Sequence, residues 1–416
     1  MNKFLFLFAA LAILLSACKS DEPPGTTPDE PIVEEIIVKP VPTLTADESD
    51  AAAGQKNFHT KFFQAVSLKN PSKNIIVSPL SASMLLSMVA NSADNTTASQ
   101  ICNALGCENI ESVNSMSKKY IEWISGADEG VTVKMANSIW HKQELTARTD
   151  FAKIADQYYS SELIARDFSK GKSLVAEIND WTKRKTSGMI DNIVNSIPSA
   201  NVAIMVNALY FRGTWRESFN KKATAKATFH GLDHTSTVDM MCRTFHYGCQ
   251  YTITDDYSAV EIPYGASGNC SMVLILPAEG SDIDSFIASD AFTTQTNLNA
   301  NAPIALYLPK FSIAPDNTID LNPLFASLGI DNLDNLQKCN IFTDPVNAQY
   351  SIHQKTGINV DEDGTEAASV TWGHLDGDSG ETPPEPKIMR FDRPFVFLIK
   401  ENNTNLCLFA GKINNL

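Results

Sequence analysis

Hydrophobic positions recur at helical spacing early in this chain and in unbroken runs later on. Phe58, Phe62, Phe63 and Val66 share one face of a helix that should stop at Asn70-Pro71, where proline lacks the amide a helix needs. A strand over residues 74–77 then meets Ser78-Pro79. Serine accepts from the first free amides of a helix and proline suits its first turn, so a helix is predicted over residues 79–90. Its apolar side, Leu80, Met84, Leu85 and Met88, is continuous, which predicts a buried, central position. Residues 202–211, 272–276 and 304–308 read as fully buried strands. Residues 394–399 and 406–413 flank Glu401-Asn402-Asn403-Thr404-Asn405, a strand–turn–strand pair. Helices cluster early and strands late, so the fold class is α+β, with sheets packed against helices.

The N-terminus follows another logic. Lys3 precedes an apolar run, residues 4–15, too short to span a bilayer as a mature helix. The run ends Leu15-Ser16-Ala17-Cys18, which resembles a bacterial lipobox. The resemblance implies that residues 1–17 are a removed signal and that Cys18 carries the acyl chains, anchoring the protein to the membrane without spanning it. Lys19-Ser20-Asp21-Glu22 is similar to export signals of surface lipoproteins, so a cell-surface place on the outer membrane is expected. Residues 21–49 are rich in Pro, Glu, Asp and Thr and lack helical period. Residues 18–50 are thus read as an anchor and disordered spacer reaching roughly 30 Å, and residues 51–416 as one folded domain.

Composition supports a large body: 416 residues, 43% of them apolar. The net charge is −15 and unevenly placed. Residues 19–50 hold nine acids and two lysines, a net −7, and residues 361–386 hold eight acids and no Lys or Arg. Such a chain argues against nucleic acid as a partner. The one basic triplet, Lys183-Arg184-Lys185, reads as the wet face of a helix. Seven cysteines follow Cys18, an odd number, so a complete disulfide framework is excluded. Cys102 and Cys107 are close in sequence, as are Cys242 and Cys249, which leaves room for one optional disulfide. Cys242, His246 and Cys249 match no strong zinc pattern, and no metal or cofactor is expected.

From about Ala51 to Leu416 the motifs, in order and spacing, resemble the serpin family. NIIVSPLSASMLLSM (residues 74–88) is similar to the family's central helix, with Ser78 and Ser81 at the "shutter" positions. Asn179, Trp181, Thr186, Gly188 and Ile190 resemble the helix that crosses the main sheet. VNALYFRGTW (residues 206–215) resembles the strand leading to the "breach", with Asn207 and Trp215 at family positions. VEIPYG (260–265), LPKF (308–311), DRPFVFLI (392–399) and LFAGKI (408–413) also match. The resemblance implies about three β-sheets with eight to nine helices and an exposed reactive loop over about residues 362–390. Gln354 stands where the family often has a shutter histidine, and its carboxamide can bridge backbone groups as a neutral imidazole does.

DEDGTEAASVT (residues 361–371) resembles the hinge of inhibitory serpins, carried here by Glu362, Gly364, Thr365, Glu366, Ala367, Ala368 and Ser369. A loop that becomes a strand inside an existing sheet must send every second side chain into a packed interior. Thr365, Ala367, Ser369, Thr371 and Gly373 are all small and uncharged, whereas a charge there would be buried unpaired. Gly364 supplies the bend, and Val370 is larger than is usual in such hinges.

Counting from Gly364 at the family's spacing puts the scissile bond at Asp378-Ser379. Counting back from the longer far side shifts it to Gly380 or Glu381. Asp378 would suit a protease pocket lined by Arg or Lys. Gly377-Asp378-Ser379-Gly380 also mimics a serine-protease nucleophile motif, but Glu381 follows and no upstream histidine sits in a triad context. The motif is a decoy, and the protein is expected to be no enzyme. The resemblance implies a monomeric suicide-substrate inhibitor that traps a serine or cysteine protease in a 1:1 covalent complex. The alternative is a non-inhibitory serpin acting as a surface binding protein.

Overall fold

The computed structural model describes residues 39–188, 190–246, 249–293, 298, 300, 302–313, 319–331, 333, 339–344, 349–365 and 385–416. Helix α1 (Ala46–Leu68) leads to β1 (Ile75–Val77) and then to α2 (Pro79–Ala90), α3 (Asn95–Leu105) and α4 (Ile110–Ile124). Strand β2 (Val131–Lys142), helix α5 (Thr149–Tyr159), strand β3 (Ser161–Arg166) and helix α6 (Gly171–Lys185) follow. The long β4 (Asn201–Thr214) opens a strand-rich half with β5 (Ala225–His230), β6 (Thr235–Phe245), β7 (Tyr251–Ile253), β8 (Tyr257–Tyr264) and β9 (Cys270–Pro277). Short helices α7 (Ile283–Ala288) and α8 (Asp290–Thr293) precede β10 (Ile304–Pro309), β11 (Phe311–Ile313), β12 (Ile319–Asp320) and α9 (Asn322–Ser327). Last come β13 (Gln349–Gln354), β14 (Ile358–Val360), β15 (Gly364–Thr365), β16 (Lys387–Arg390), β17 (Phe395–Glu401) and β18 (Cys407–Ile413).

Among the described residues these make three sheets and nine α-helices, the α+β class expected. One sheet runs β1-β18-β17-β9-β8-β7 and a second runs β16-β10-β6-β5. In the largest, β3 pairs with β2 and β2 with β4, while β4 meets β13 at its foot and β15 at its head. Helix α2 lies at the centre with all twelve residues buried; Ser78 caps it by accepting from the Ser81 amide and Pro79 opens it. Helix α6 lays Trp181 edge-on against Trp140 of β2, with ring centres 6.4 Å apart. No helix among the described residues is long and apolar enough to cross a membrane.

Two boundaries differ from the sequence reading. The folded body starts before Ala51, because Thr45 and Glu48 form a capping box that begins α1 at Ala46. Lys39 and Thr43 are also held: the Lys39 amide donates to Gly126 O (2.8 Å), Trp123 Nε1 donates to Lys39 O (3.2 Å), and Lys119 Nζ donates to Thr43 O (3.1 Å). Glu48, read as part of an acidic spacer, is in fact buried against Lys119 and Ser115. At the other end, the loop expected to run to about residue 390 stops earlier, since Lys387–Arg390 pair in parallel with β10 and bury Met389. Both misreadings have one cause: polar flanks hide residues whose partners are remote in sequence.

Candidate functional site at the head of the large sheet

The chain reverses between β14 and β15 in a turn organised by Asp361. Its carboxylate accepts from the amides of Asp363 (2.9 Å) and Gly364 (3.3 Å), and its own amide donates to Gly364 O (2.9 Å). After the turn Thr365 pairs with Val360 on one side and with Gly213 on the other, while Gly364 pairs with Thr214. Gly364 has φ +151°, and a Cβ there would lie 2.1 Å from Gly213 O, so only glycine fits this approach. Thr365 is 2% exposed, and its hydroxyl shares a 2.7 Å hydrogen bond with the Tyr264 hydroxyl. Tyr264 in turn stacks on Trp215, with ring centres 4.4 Å apart.

Trp215 fastens the outside of the turn. Its indole N–H donates to Asp361 O (2.9 Å) and its amide to Asp363 O (3.0 Å), while the Phe219 amide donates to Glu362 O (2.9 Å). The Glu362 side chain is buried, with Oε2 on Lys310 Nζ (2.8 Å) and Oε1 accepting from the Thr224 hydroxyl (2.8 Å). Burial pushes this carboxyl up, but Lys310 and Thr224 outweigh burial and hold it below its ordinary value. Asp363 bonds Lys221 at 2.6 Å in a far more exposed setting.

The middle of the sheet is tied to α2 through Gln354. Its Oε1 accepts from the Ser78 amide (2.9 Å) and its Nε2 donates to Ser78 O (2.8 Å), so one carboxamide spans both backbone groups of one residue. Ser78 and Ser81 are fully buried, with hydroxyls 2.8 Å apart. Thr356 donates to Ile76 O (2.6 Å). Asn207 donates to Asn137 Oδ1, and its own buried carbonyl oxygen has no partner among the described residues.

The strands around β4 show where the sheet is divided. On one edge β2 pairs with β4 from Ala203 to Gly213. On the other, β13 reaches only to Val206 and β15 takes up only at Gly213. Among the described residues, residues 207–212 of β4 therefore have a strand on one edge alone. At the foot β13 touches β4 directly, whereas at the head β15 stands between β14 and β4. Between β4 and the edge formed by β13 and β14, the sheet therefore holds one more strand at its head than at its foot.

A comparison with known families settles what carries this arrangement. The model of the family described as Serpin (serine protease inhibitor) matches residues 53–416. The chain is a serpin. It is similar to glia-derived nexin of Rattus norvegicus, 31% identical over 368 residues that cover 85% of this chain and 90% of that protein. It is similar to the leukocyte elastase inhibitor of Equus caballus at 28% identity, covering 86% and 97%. Among solved structures, the native state of the thermophilic serpin tengpin superposes with a TM-score of 0.79 at 29% identity, covering 91% of this chain and 97% of that one. Human thyroxine-binding globulin complexed with thyroxine shares the fold at a TM-score of 0.78 and 22% identity.

In this serpin, Glu362, Gly364, Thr365, Trp215, Ser78, Ser81, Asn207 and Gln354 all lie on or beside the large sheet. Gln354 and Asn207 do not bond each other; each has its own partner. Cys18, Glu366, Ala367, Ala368, Ser369, Asp378, Ser379, Gly380 and Glu381 lie outside the described residues. Sequence reasoning missed the groups that grip the hinge, Lys310, Thr224, Lys221 and Tyr264, and also Asn137, the partner of Asn207 in mid-sheet. Lys310 and Tyr264 sit within LPKF and VEIPYG, so their segments were legible, but a partner far away in sequence was not.

Proposed function

We propose that this serpin is an inhibitory one, acting as a suicide substrate for a serine or cysteine protease. Serpins are typically protease inhibitors, although some family members are not. The observation that carries the inhibitory reading is the seated pair Gly364–Thr365 above the half-paired stretch of β4. The protease nucleophile attacks the carbonyl carbon of the bait residue, Asp378 by the hinge count, with Gly380 and Glu381 as alternatives. The peptide bond to Ser379 breaks, its amine takes a proton, and an acyl-enzyme remains. The freed strand extends downward from Thr365 beside β4, alternating small residues into the core and gaining ladder hydrogen bonds. The tethered protease is carried with it and distorted before water can release it. Every reacting group is the protease's; the serpin supplies bait, slot and stored free energy.

Lipidation of Cys18 would fix this inhibitor at the bacterial outer membrane, on the cell surface, and the complex with its target would form there as 1:1 covalent species. The lipobox-like residues 15–18 support that placement. Thr365→Arg tests the mechanism, because a guanidinium would have to enter the space beside Tyr264. The variant should be cleaved by the same protease yet form no denaturant-stable complex; a stable complex would sink the insertion mechanism. Sequencing the C-terminal peptide released across a protease panel should give Ser379 as its first residue. A protein that melts no higher after the loop is cut would instead be a non-inhibitory, binding serpin.

A further inference from the structure

Helix α3 ends in a closure that brings two cysteines together. Gly106 takes the left-handed conformation (φ +66°) and its amide donates to Asn103 O (3.3 Å), while the Cys107 amide donates to Cys102 O (3.0 Å). This is the Schellman pattern, in which the residue after the left-handed glycine folds back onto the last turn of the helix. Here the residues that meet are both cysteines. The closure is fixed from outside by α1, since a Cβ on Gly54 would lie 2.3 Å from Gly106 O. Neither thiol is in a disulfide and both are half-buried, within reach of solvent. A hydrogen bond with Cys107 holds the Cys102 thiol below its ordinary value, against burial and the nearby Glu111 carboxylate. The same hydrogen bond, with burial, pushes Cys107 up. Elsewhere burial raises the thiols of Cys249, Cys270 and Cys407. The 102–107 pair therefore combines accessibility, mutual contact and a nucleophilic member.

We propose that Cys102 and Cys107 form a redox-active dithiol that closes to a disulfide by exchange with a disulfide oxidant of the glutathione or protein-disulfide class, pinning the end of α3 where it packs on α1. The Cys102 thiolate attacks one sulfur of the oxidant, forming a mixed disulfide and expelling one thiolate. Cys107 gives its proton to that leaving thiolate and attacks the Cys102 sulfur. The intramolecular disulfide forms and the second thiolate departs, so the oxidant is reduced to two thiols. The short ring closed is compatible with the existing turn, because the backbone already returns there.

The full chain is equilibrated in reduced and oxidised glutathione at a series of ratios, unfolded, alkylated and digested. The expected result is a peptide holding Cys102 and Cys107 that is two hydrogens lighter and unalkylated under oxidising ratios, while Cys242, Cys249, Cys270, Cys339 and Cys407 stay alkylatable. Cys107→Ser should instead accumulate a glutathione adduct on Cys102. Oxidation should raise the melting temperature of the parent protein by about 2 degrees and leave Cys107→Ser unchanged. Alkylation of both thiols at every ratio, or linkage of either to another cysteine, overturns the dithiol. A melting temperature that does not rise on oxidation overturns the pinning of α3. None of these readings depends on protease inhibition.

Discussion

Strands β4 and β9 are both long, apolar and central, yet one is sealed and the other is not. All eight residues of β9 are buried; β8 pairs with the whole strand on one edge and β17 with residues 270–275 on the other. Strand β4 is almost as buried, but below its head a stretch has a strand on one edge alone among the described residues. The contacts differ in kind as well. Around β9 the neighbours are aliphatic and aromatic side chains, which can rearrange only by losing packing. Around the head of β4 the turn is held by single hydrogen bonds and two ion pairs, each replaceable by water or by another partner. A sheet can thus carry a rigid half and a half prepared to widen, with hydrophobicity alone unable to tell them apart.

The largest effect should come from cutting the chain within residues 366–384. Insertion beside β4 should raise the melting temperature by many degrees, whereas a cut in the turn between β17 and β18 should lower it; calorimetry of the two nicked forms checks this. If both cuts lower it, the two halves do not differ as described.

Acid should strike the sealed half. The Cys407 amide donates to His59 Nδ1 (3.2 Å), so the buried ring must be the neutral tautomer whose Nε2–H donates to Ser83 (3.1 Å). Burial holds this imidazole down at about 3, against 6.5 for an ordinary histidine. The unfolded chain therefore takes up the proton first, and stability present above pH 6.5 is lost as pH falls toward 3. Roughly 3 kcal/mol should disappear by about pH 4, measured by urea unfolding, and His59→Gln should flatten that slope.

Gly411→Ala probes the same half sterically, since its Cβ would lie 2.3 Å from the Phe397 ring and 2.9 Å from Ile75 O. Unfolding free energy should fall by about 2 kcal/mol. The fraction of encounters that end in a trapped protease should stay unchanged.

The smallest effect should come from Glu362→Gln at the head, which removes the ion pair with Lys310 at a stability loss of about 1 kcal/mol or less, because Lys310 is more than a third exposed. Its signature is kinetic: inhibitory activity should decay faster on warm incubation as the unlatched loop inserts without being cut. The carboxyl is held below its ordinary value, so the latch is fully present above that value and is lost as pH falls through the depressed one. Acid below the ordinary carboxyl range should hasten the same decay in the parent protein and not in the variant.

Much of this was open to reading along the chain. Helix α2 falls over Pro79–Ala90 as capping and apolar spacing required; β4, β9 and β10 extend the apolar runs by a few residues at their ends, while β17 and β18 each begin one residue later than expected and β17 runs on to Glu401. Thr365 occupies an inward position of the alternating hinge pattern. Harder to see were elements whose polarity alternates or is mixed. Strand β6 is buried only at scattered positions, and β2 carries Lys134, Asn137 and His141 among its apolar residues. The start of α1 was hidden for the opposite reason, a run of acids that resembles a spacer until Lys119 and Ser115 close on Glu48.

What the sequence by itself determined is local: which stretches are apolar enough to be buried, where helices begin, and which residues of the hinge are small enough to enter a core. Those properties follow from spacing and side-chain volume, which the chain carries everywhere it goes. Only the tertiary structure decided that Glu362 meets Lys310, that Tyr264 receives Thr365, and that one edge of β4 is divided between β13 and β15. Those contacts join residues that are remote along the chain, and their energies depend on burial and on the angle of approach. Both are set by how the sheets close around α2, a property of the whole fold and of no single segment.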